Sequence, residues 1–341
     1  MKKIALVILN WNGAEMLRSF LPSVVQYSAG AEVDIWVADN ASTDDSLDVL
    51  RTEFPEVHTL VLDENYGFAE GYNRALAQIE ATYVVLLNSD VEVTPGWLEP
   101  LLAYMDGHPE VAACQPKIRS QRQPDFFEYA GAAGGFIDRY GYPFCRGRLL
   151  GEVEKDLQQY EDIVPVFWAS GAALCIRRAD YFEVGGLDAR FFAHMEEIDL
   201  CWRLRSRGRQ IVCVPQSVVY HVGAATLKKD NPRKTFLNFR NNLLMLYKNL
   251  PEPELKRVLQ VRRVLDAVAI IVFLLKGDRA NAEAVRSARK EFYQIRYSFA
   301  SSRVQNLVRA TVDDIPERFR FSLLWKFYVR GKKKFSQLGI D

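Results

Sequence analysis

The 341-residue sequence contains no C-x-x-C pair, and its five cysteines, Cys114, Cys145, Cys175, Cys201 and Cys213, are odd in number and scattered. That spacing provides neither a disulfide framework nor a thiolate zinc site, and it fits a reducing, cytosolic setting. No G-x-G-x-x-G opens the first helical stretch and there is no P-loop, so the two commonest glycine cradles for nucleotide phosphates are missing. Long apolar runs are missing as well. The longest strongly apolar stretch, residues 267–275, is far short of the roughly 20 residues that span a bilayer, and no transmembrane helix is predicted. The start, Met1-Lys2-Lys3 followed by apolar residues 4–9, imitates a signal peptide but stops at Asn10-Trp11-Asn12-Gly13, and reads as a buried strand. With 49% hydrophobic and 26% charged residues, a disordered or fibrous chain is excluded.

A net charge of only +1 conceals an asymmetry. Residues 1–227 hold 19 Lys+Arg against 32 Asp+Glu, whereas residues 228–341 hold 25 against 11. The acidic body suits carboxylates gathered for metal or acid/base work, and the basic tail suits an anionic surface such as membrane phosphate. Solvated helix faces account for most of these charges. No nucleic-acid module accompanies the basic tail, so nucleic-acid binding is not expected.

Short apolar runs at residues 4–9, 33–38, 57–62 and 83–87 read as strands, and amphipathic stretches at 15–27, 45–53 and 69–80 read as helices. That β-α-β-α order predicts an α/β fold with a mostly parallel sheet flanked by helices. Ligands bind such sheets at the carboxyl ends of the strands. The loops there are polar: Asn10-Trp11-Asn12-Gly13, Asp39-Asn40-Ala41-Ser42-Thr43-Asp44, Glu64-Asn65-Tyr66-Gly67 and Asn88-Ser89-Asp90. Residues 110–165 loosen into glycine-rich and aromatic segments. Strands at 164–168 and 172–176 follow, then a helix stopped by Gly185-Gly186, a helix over 197–208, a strand over 211–215 and a last strand ending at His221. Beyond residue 228 the chain reads as helical throughout.

Four constellations carry chemistry. In Asn88-Ser89-Asp90, a strand-end carboxylate with an amide two residues earlier suits a hard divalent cation holding a diphosphate, and an ordinary Asx turn reads the triplet too. Asp39 can accept hydrogen bonds from a ribose or base, while Asp44 reads as a helix cap. Glu196, Glu197 and Asp199 lie within four residues, where mutual repulsion raises at least one pKa and creates a general base. Acids meeting the positive end of a helix are the alternative. His221 ends an apolar run, as a structural histidine or as one completing a metal's coordination sphere.

Taken in order, these residues resemble the inverting GT-A glycosyltransferases of family 2, in particular the rhamnosyltransferase-like branch of bacterial surface polysaccharide synthesis. The resemblance rests on Val7 to Gly13, Val37 to Asp44, Asn65 to Asn73, Leu86 to Asp90, Gly171-Ala172, Gly185 to Asp188, Glu196 to Arg203 and Tyr220-His221. It implies a GT-A catalytic domain over 1–227, with a donor half to about 118 and an acceptor half from 119, and a basic helical region over 228–341. Asn10, Asp39, Asn65, Asn73, Asn88 and Asp90 are implied for the nucleotide-sugar donor. Asp90, Asn88 and His221 are implied for Mg²⁺ or Mn²⁺, with Asn88 standing where the family's D-x-D has its first acid. Glu197 falls at the place of the catalytic base, usually an Asp, and Asp199 is the fallback.

The implied activity is transfer of a sugar from a dTDP- or UDP-sugar to a glycan or polyprenyl-linked acceptor, by a cytoplasmic enzyme peripheral to the inner face of the plasma membrane and able to form oligomers. Aromatics beside Lys/Arg over 318–335 are expected to form an interfacial helix on anionic lipid, or alternatively to pack on the body or a partner subunit. A sugar nucleotidyltransferase and a catalytically inactive GT-A binding subunit are the competing readings.

Overall fold

A computed structural model of the chain describes residues 3–30, 32–223 and 231–340. The expected boundary at 227/228 lies outside the described residues. In chain order the first half runs β1 (Ile4–Asn10), α1 (Ala14–Ser28), β2 (Val33–Asp39), α2 (Ser46–Glu53), β3 (His58–Val61), α3 (Gly67–Gln78), β4 (Tyr83–Asn88), β5 (Val91–Val93), α4 (Leu98–Gly107) and β6 (Val111–Ser120). Then come β7 (Gly135–Asp138), β8 (Pro143–Cys145), β9 (Arg148–Leu149), β10 (Glu152–Val153), β11 (Val164–Pro165), β12 (Ala173–Arg177), α5 (Arg178–Glu183), α6 (Glu196–Ser206) and β13 (Gln210–His221). The C-terminal region holds α7 (Pro232–Asn249), α8 (Glu252–Leu275), α9 (Arg279–Ile295), α10 (Ala300–Arg309) and β14 (Arg318–Phe319).

The main sheet has the order β11-β13-β6-β12-β4-β1-β2-β3, with β5 paired to β13. Strands β4, β1, β2 and β3 are mutually parallel, and β12 enters antiparallel between β4 and β6. Strand register places the loops that matter side by side: Asn10 pairs with Asp39, and Leu9 with Asn88. Alternation along β1 explains the two-sided core. Ala5 and Val7 face Tyr72 and Ala75 of α3, while Ile4, Leu6 and Ile8 belong with Leu17 and Leu21 of α1 on the opposite face. The two strands expected at 211–215 and ending at His221 are one strand, β13, whose register shifts between Val214 and Val218. Pro215, which has no N–H to give to a ladder, sits in that irregular stretch.

A second sheet of order β10-β9-β8-β7-β14 forms in the segment expected to be irregular, and its edge strand β14 comes from the C-terminal region. Here the helical expectation needs correction. After α10 the chain forms β14 and a single π-helical turn at Trp325–Val329, so no interfacial helix spans 318–335. The reason is aromatic packing: Phe319, Phe321 and Phe335 join Phe136 and Phe144 with ring centroids 5.3 to 6.2 Å apart. Leu323 is fully buried, and its backbone N–H donates to Asp138 Oδ2 at 2.8 Å. Apolar burial draws these phenylalanines and Leu323 toward the core, while Trp325 and Tyr328 of the same segment stay exposed.

Phe335→Ala should therefore cost about 3 kcal/mol of unfolding free energy by chemical denaturation; a loss below about 0.5 kcal/mol would show that the segment is not part of the core.

Candidate active site

The donor-side loops are tied to one another by side chains. Asn10 Nδ2 donates to Asp39 Oδ1 at 3.0 Å and to Ser42 Oγ at 3.3 Å, while Asp39 Oδ2 accepts from the Ser42 N–H at 2.9 Å. Asn40 Nδ2 reaches Asn65 Oδ1 and the Gly67 carbonyl, and Asn65 Oδ1 also accepts from the Gly67 N–H. Asn10, Asp39 and Asn65 thus form one connected edge above β1, β2 and β3, and Asn10 Oδ1 is buried with no partner. Gly13 is required there, because a Cβ would lie 2.4 Å from that oxygen. Asp44 Oδ1 accepts from the Ser46 N–H at the start of α2, the helix it was expected to cap, and its Oδ2 also accepts from the Ala14 N–H at the start of α1. Asn73 belongs to a different task. Its amide donates to the Leu187 carbonyl and accepts from the Tyr181 hydroxyl and the Leu187 N–H, which locks α3 to the turn after Gly185-Gly186.

At the end of β4 the acidic cluster takes shape across the sheet. His221, last residue of β13, has Nε2 3.1 Å from Asp90 Oδ1 and 3.5 Å from Asn88 Nδ2. Its Nδ1 lies 3.4 Å from Glu128 Oε2. Burial works against charge on the ring, but the two carboxylates outweigh it and push the His221 pKa up to about 10. Asp90, though buried, is held below the ordinary carboxylate value by the same histidine. Glu128 is the residue sequence reasoning missed: it lies in the loosely patterned stretch, where no periodicity or motif marks it.

The next strand carries the site toward α6. Asn88 N–H donates to the Ala172 carbonyl at 3.0 Å, and Gly171, one residue earlier, looks at Phe68 and at the Glu197 Cβ, 3.8 Å from where its own Cβ would stand. Glu197 and Glu196 begin α6, and each keeps one buried carboxylate oxygen, Oε2, without a partner. Burial drives the Glu197 pKa up to about 7, against the pull of backbone N–H groups at its own position, Ile198 and Met195. Burial and the neighbouring Glu197 hold the Glu196 pKa well above its ordinary value. Asp199 is placed differently. It is fully buried, with Oδ2 accepting from Arg203 Nε at 3.0 Å and Lys248 Nζ at 2.7 Å, and Oδ1 from Asn249 Nδ2 at 2.9 Å.

The segment before α6 is strained. Phe192, His194 and Met195 have φ of +66°, +70° and +74°, a left-handed region that costs side-chain-bearing residues about 1–3 kcal/mol each. Asn241 of α7 holds it: one buried amide donates to the carbonyls of Phe191, Ala193 and His194 at 2.8 to 2.9 Å. The sequence marks Asn241 only by its place in a polar pair within an apolar helix.

These features fit the GT-A class of fold. Residues 5–164, just under half of the chain, match the model for glycosyl transferase family 2, which supports a glycosyltransferase. A relative from Mycobacterium tuberculosis, N-acetylglucosaminyl-diphospho-decaprenol L-rhamnosyltransferase, is 29% identical over 245 residues, covering 67% of this chain and 78% of its own. Among solved structures, GalNAc-T7 with UDP, GalNAc and Mn²⁺ superposes with a TM-score of 0.58 at 16% identity, over 74% of this chain and 49% of that one. The mannosyltransferase PcManGT from Pyrobaculum calidifontis, in complex with GDP-Man and Mn²⁺, gives 0.52 at 14% identity, over 90% and 85%. At these identities the two structures bear on the fold, which is the GT-A fold expected.

A carboxyl whose pKa rises on folding holds its proton more tightly in the native state, so its contribution is fully present below the ordinary 4.5 and is lost as pH climbs toward the folded value. Glu196→Gln should therefore raise the melting temperature at pH 8 and flatten the decline in stability above pH 4.5; a lower melting temperature at pH 8 would show that Glu196 is ionised and paired.

Proposed function

We propose that this glycosyltransferase moves one sugar, rhamnose in the first instance, from a dTDP- or UDP-linked donor to a hydroxyl of a polyprenyl-linked glycan, with inversion, in cell-surface polysaccharide synthesis. The observation that carries the reading is Glu197: a carboxylate with an unpartnered oxygen and a pKa near 7, across Gly171 from the strand end that bears Asn88 and Asp90. The activity of the mycobacterial relative supports both the sugar and the lipid-linked acceptor. A sugar nucleotidyltransferase has no use for such a base, and an inactive binding subunit has no reason to maintain it against its cost in stability.

In the proposed reaction Glu197 Oε2 takes the acceptor hydroxyl's proton while that oxygen attacks the anomeric carbon. The bond to the diphosphate oxygen breaks on the opposite face, and the nucleoside diphosphate leaves with the electron pair. Asp199 cannot substitute, because both its oxygens are engaged by Lys248, Arg203 and Asn249. Asn10, Asp39 and Asn65 form the edge that receives the nucleoside, and Asn73 supports its wall.

The donor set fits a divalent cation. Asp90 and Asn88 offer hard oxygens and His221 a nitrogen, with Asp90 and Asn88 each within 3.5 Å of the His221 ring, and among the described residues no group of three His, Cys, Asp or Glu side chains forms a closed site. An incomplete protein shell of that kind leaves positions for the donor's phosphates. Bound there, Mg²⁺ or Mn²⁺ supplies positive charge against the departing diphosphate.

Glu197→Gln should lower kcat by at least about 100-fold with donor affinity by calorimetry unchanged, and in the wild type kcat/KM should rise through pH 7 as Glu197 loses its proton. Unchanged turnover would remove Glu197 from the chemistry. Excess EDTA should abolish transfer and Asp90→Ala should prevent its rescue by Mn²⁺; EDTA-insensitive transfer contradicts the cation site.

A further inference from the structure

We infer that the outer face of the C-terminal half of α8 docks on an anionic lipid bilayer. The inner face of α8 is accounted for. Leu255, Val258, Arg262 and Asp266, spaced three and four residues apart, are buried, and Asp266 pairs with Arg262 and with Arg289 of α9. The opposite face has no cover. Val264, Val268, Ile271 and Leu275, spaced four, three and four apart, are 63%, 50%, 55% and 83% exposed. Residues 264–275 are apolar on every side except for the buried Asp266, and a helix apolar all round belongs in an apolar phase on all sides. One side has the protein; the other requires a second phase.

Charge selects that phase. From residue 255 to 276 the exposed charges are Lys256, Arg257, Arg263 and Lys276, with no exposed acid. Arg279 follows, exposed, and Asp278 between them spends its carboxylate capping α9 through Asn281. An apolar stripe rimmed by cations alone matches acyl chains beneath anionic headgroups, whereas a second copy would set like charges against each other. Twelve helical residues extend about 18 Å, enough to lie in the interface plane. No helix among the described residues is long and apolar enough to cross a membrane. The purpose of the contact, bringing the site to a lipid-linked acceptor, rests on the proposed function; the contact itself does not.

The test uses the full chain without donor or acceptor, so that its outcome is separate from that of sugar transfer. Co-sedimentation is measured with phosphatidylcholine vesicles with and without phosphatidylglycerol. The wild type should pellet with the phosphatidylglycerol vesicles. Val268→Glu/Ile271→Glu should weaken binding by at least about tenfold, and Arg263→Gln/Lys276→Gln should reduce both binding and its salt dependence. Both variants should keep the wild-type melting temperature and calorimetric donor affinity, since these side chains are exposed and α8 packs on α7 and α9. Absence of wild-type binding, or binding unchanged in Val268→Glu/Ile271→Glu, overturns the inference. So does a dimer in light scattering that the same variant splits while vesicles are ignored.

Discussion

Two buried cations, Lys248 and Arg203, converge on Asp199, and the rest of the site depends on that allocation. A buried carboxylate needs cations or hydrogen-bond donors to remain ionised. Asp199 receives all of them, and Lys248 also serves Asp188 at 2.7 Å. Glu197, two residues away, receives no cation and only backbone N–H groups, so burial dominates and lifts its pKa into the range where a general base works at neutral pH. Had Lys248 paired with Glu197, the carboxylate would be pinned as a weak base.

The same helix that supplies Lys248 supplies Asn241 and Asn249, so α7 is the template on which the start of α6 is laid down. Strain at Phe192, His194 and Met195 is offset by three hydrogen bonds from one amide and by the ion pairs that anchor α6 behind them. Neither α6 nor α7 lies within residues 5–164, the segment that matches the family model. C-terminal segments reinforce this arrangement from below: β14 and Phe335 complete the second sheet, and Arg205 of α6 pairs with Glu317 just before β14.

Periodicity made the donor half legible. Strands β1, β2 and β4 and helices α1 and α3 lie within two residues of where alternating and 3.6-residue patterns place them. Loop chemistry located Asn10, Asp39 and Asn65, because strand register brings adjacent parallel strand ends together without help from distant residues. Long-range pairing was not legible. Glu128 meets His221 across 93 residues of chain, and nothing local to either announces the other. Asp199 and Glu197 are equivalent as acids in a first helical turn, and only the arrival of Lys248 from α7 separates them. The aromatic and basic composition of 318–335 matched an interfacial helix, yet Phe136 and Phe144 provided an apolar partner for its phenylalanines.

The central claim is that Glu197 stays without a cation partner and titrates near neutrality, while its neighbour Asp199 takes Lys248, Arg203 and Asn249. Carboxyl titration by infrared difference spectroscopy, comparing the wild type with a Glu197→Gln control, observes that proton directly. The account predicts a carboxylic acid band that disappears with a midpoint near pH 7 and is absent from the control. A midpoint at the ordinary 4.5 would mean that Glu197 is solvated or ion-paired and would contradict it.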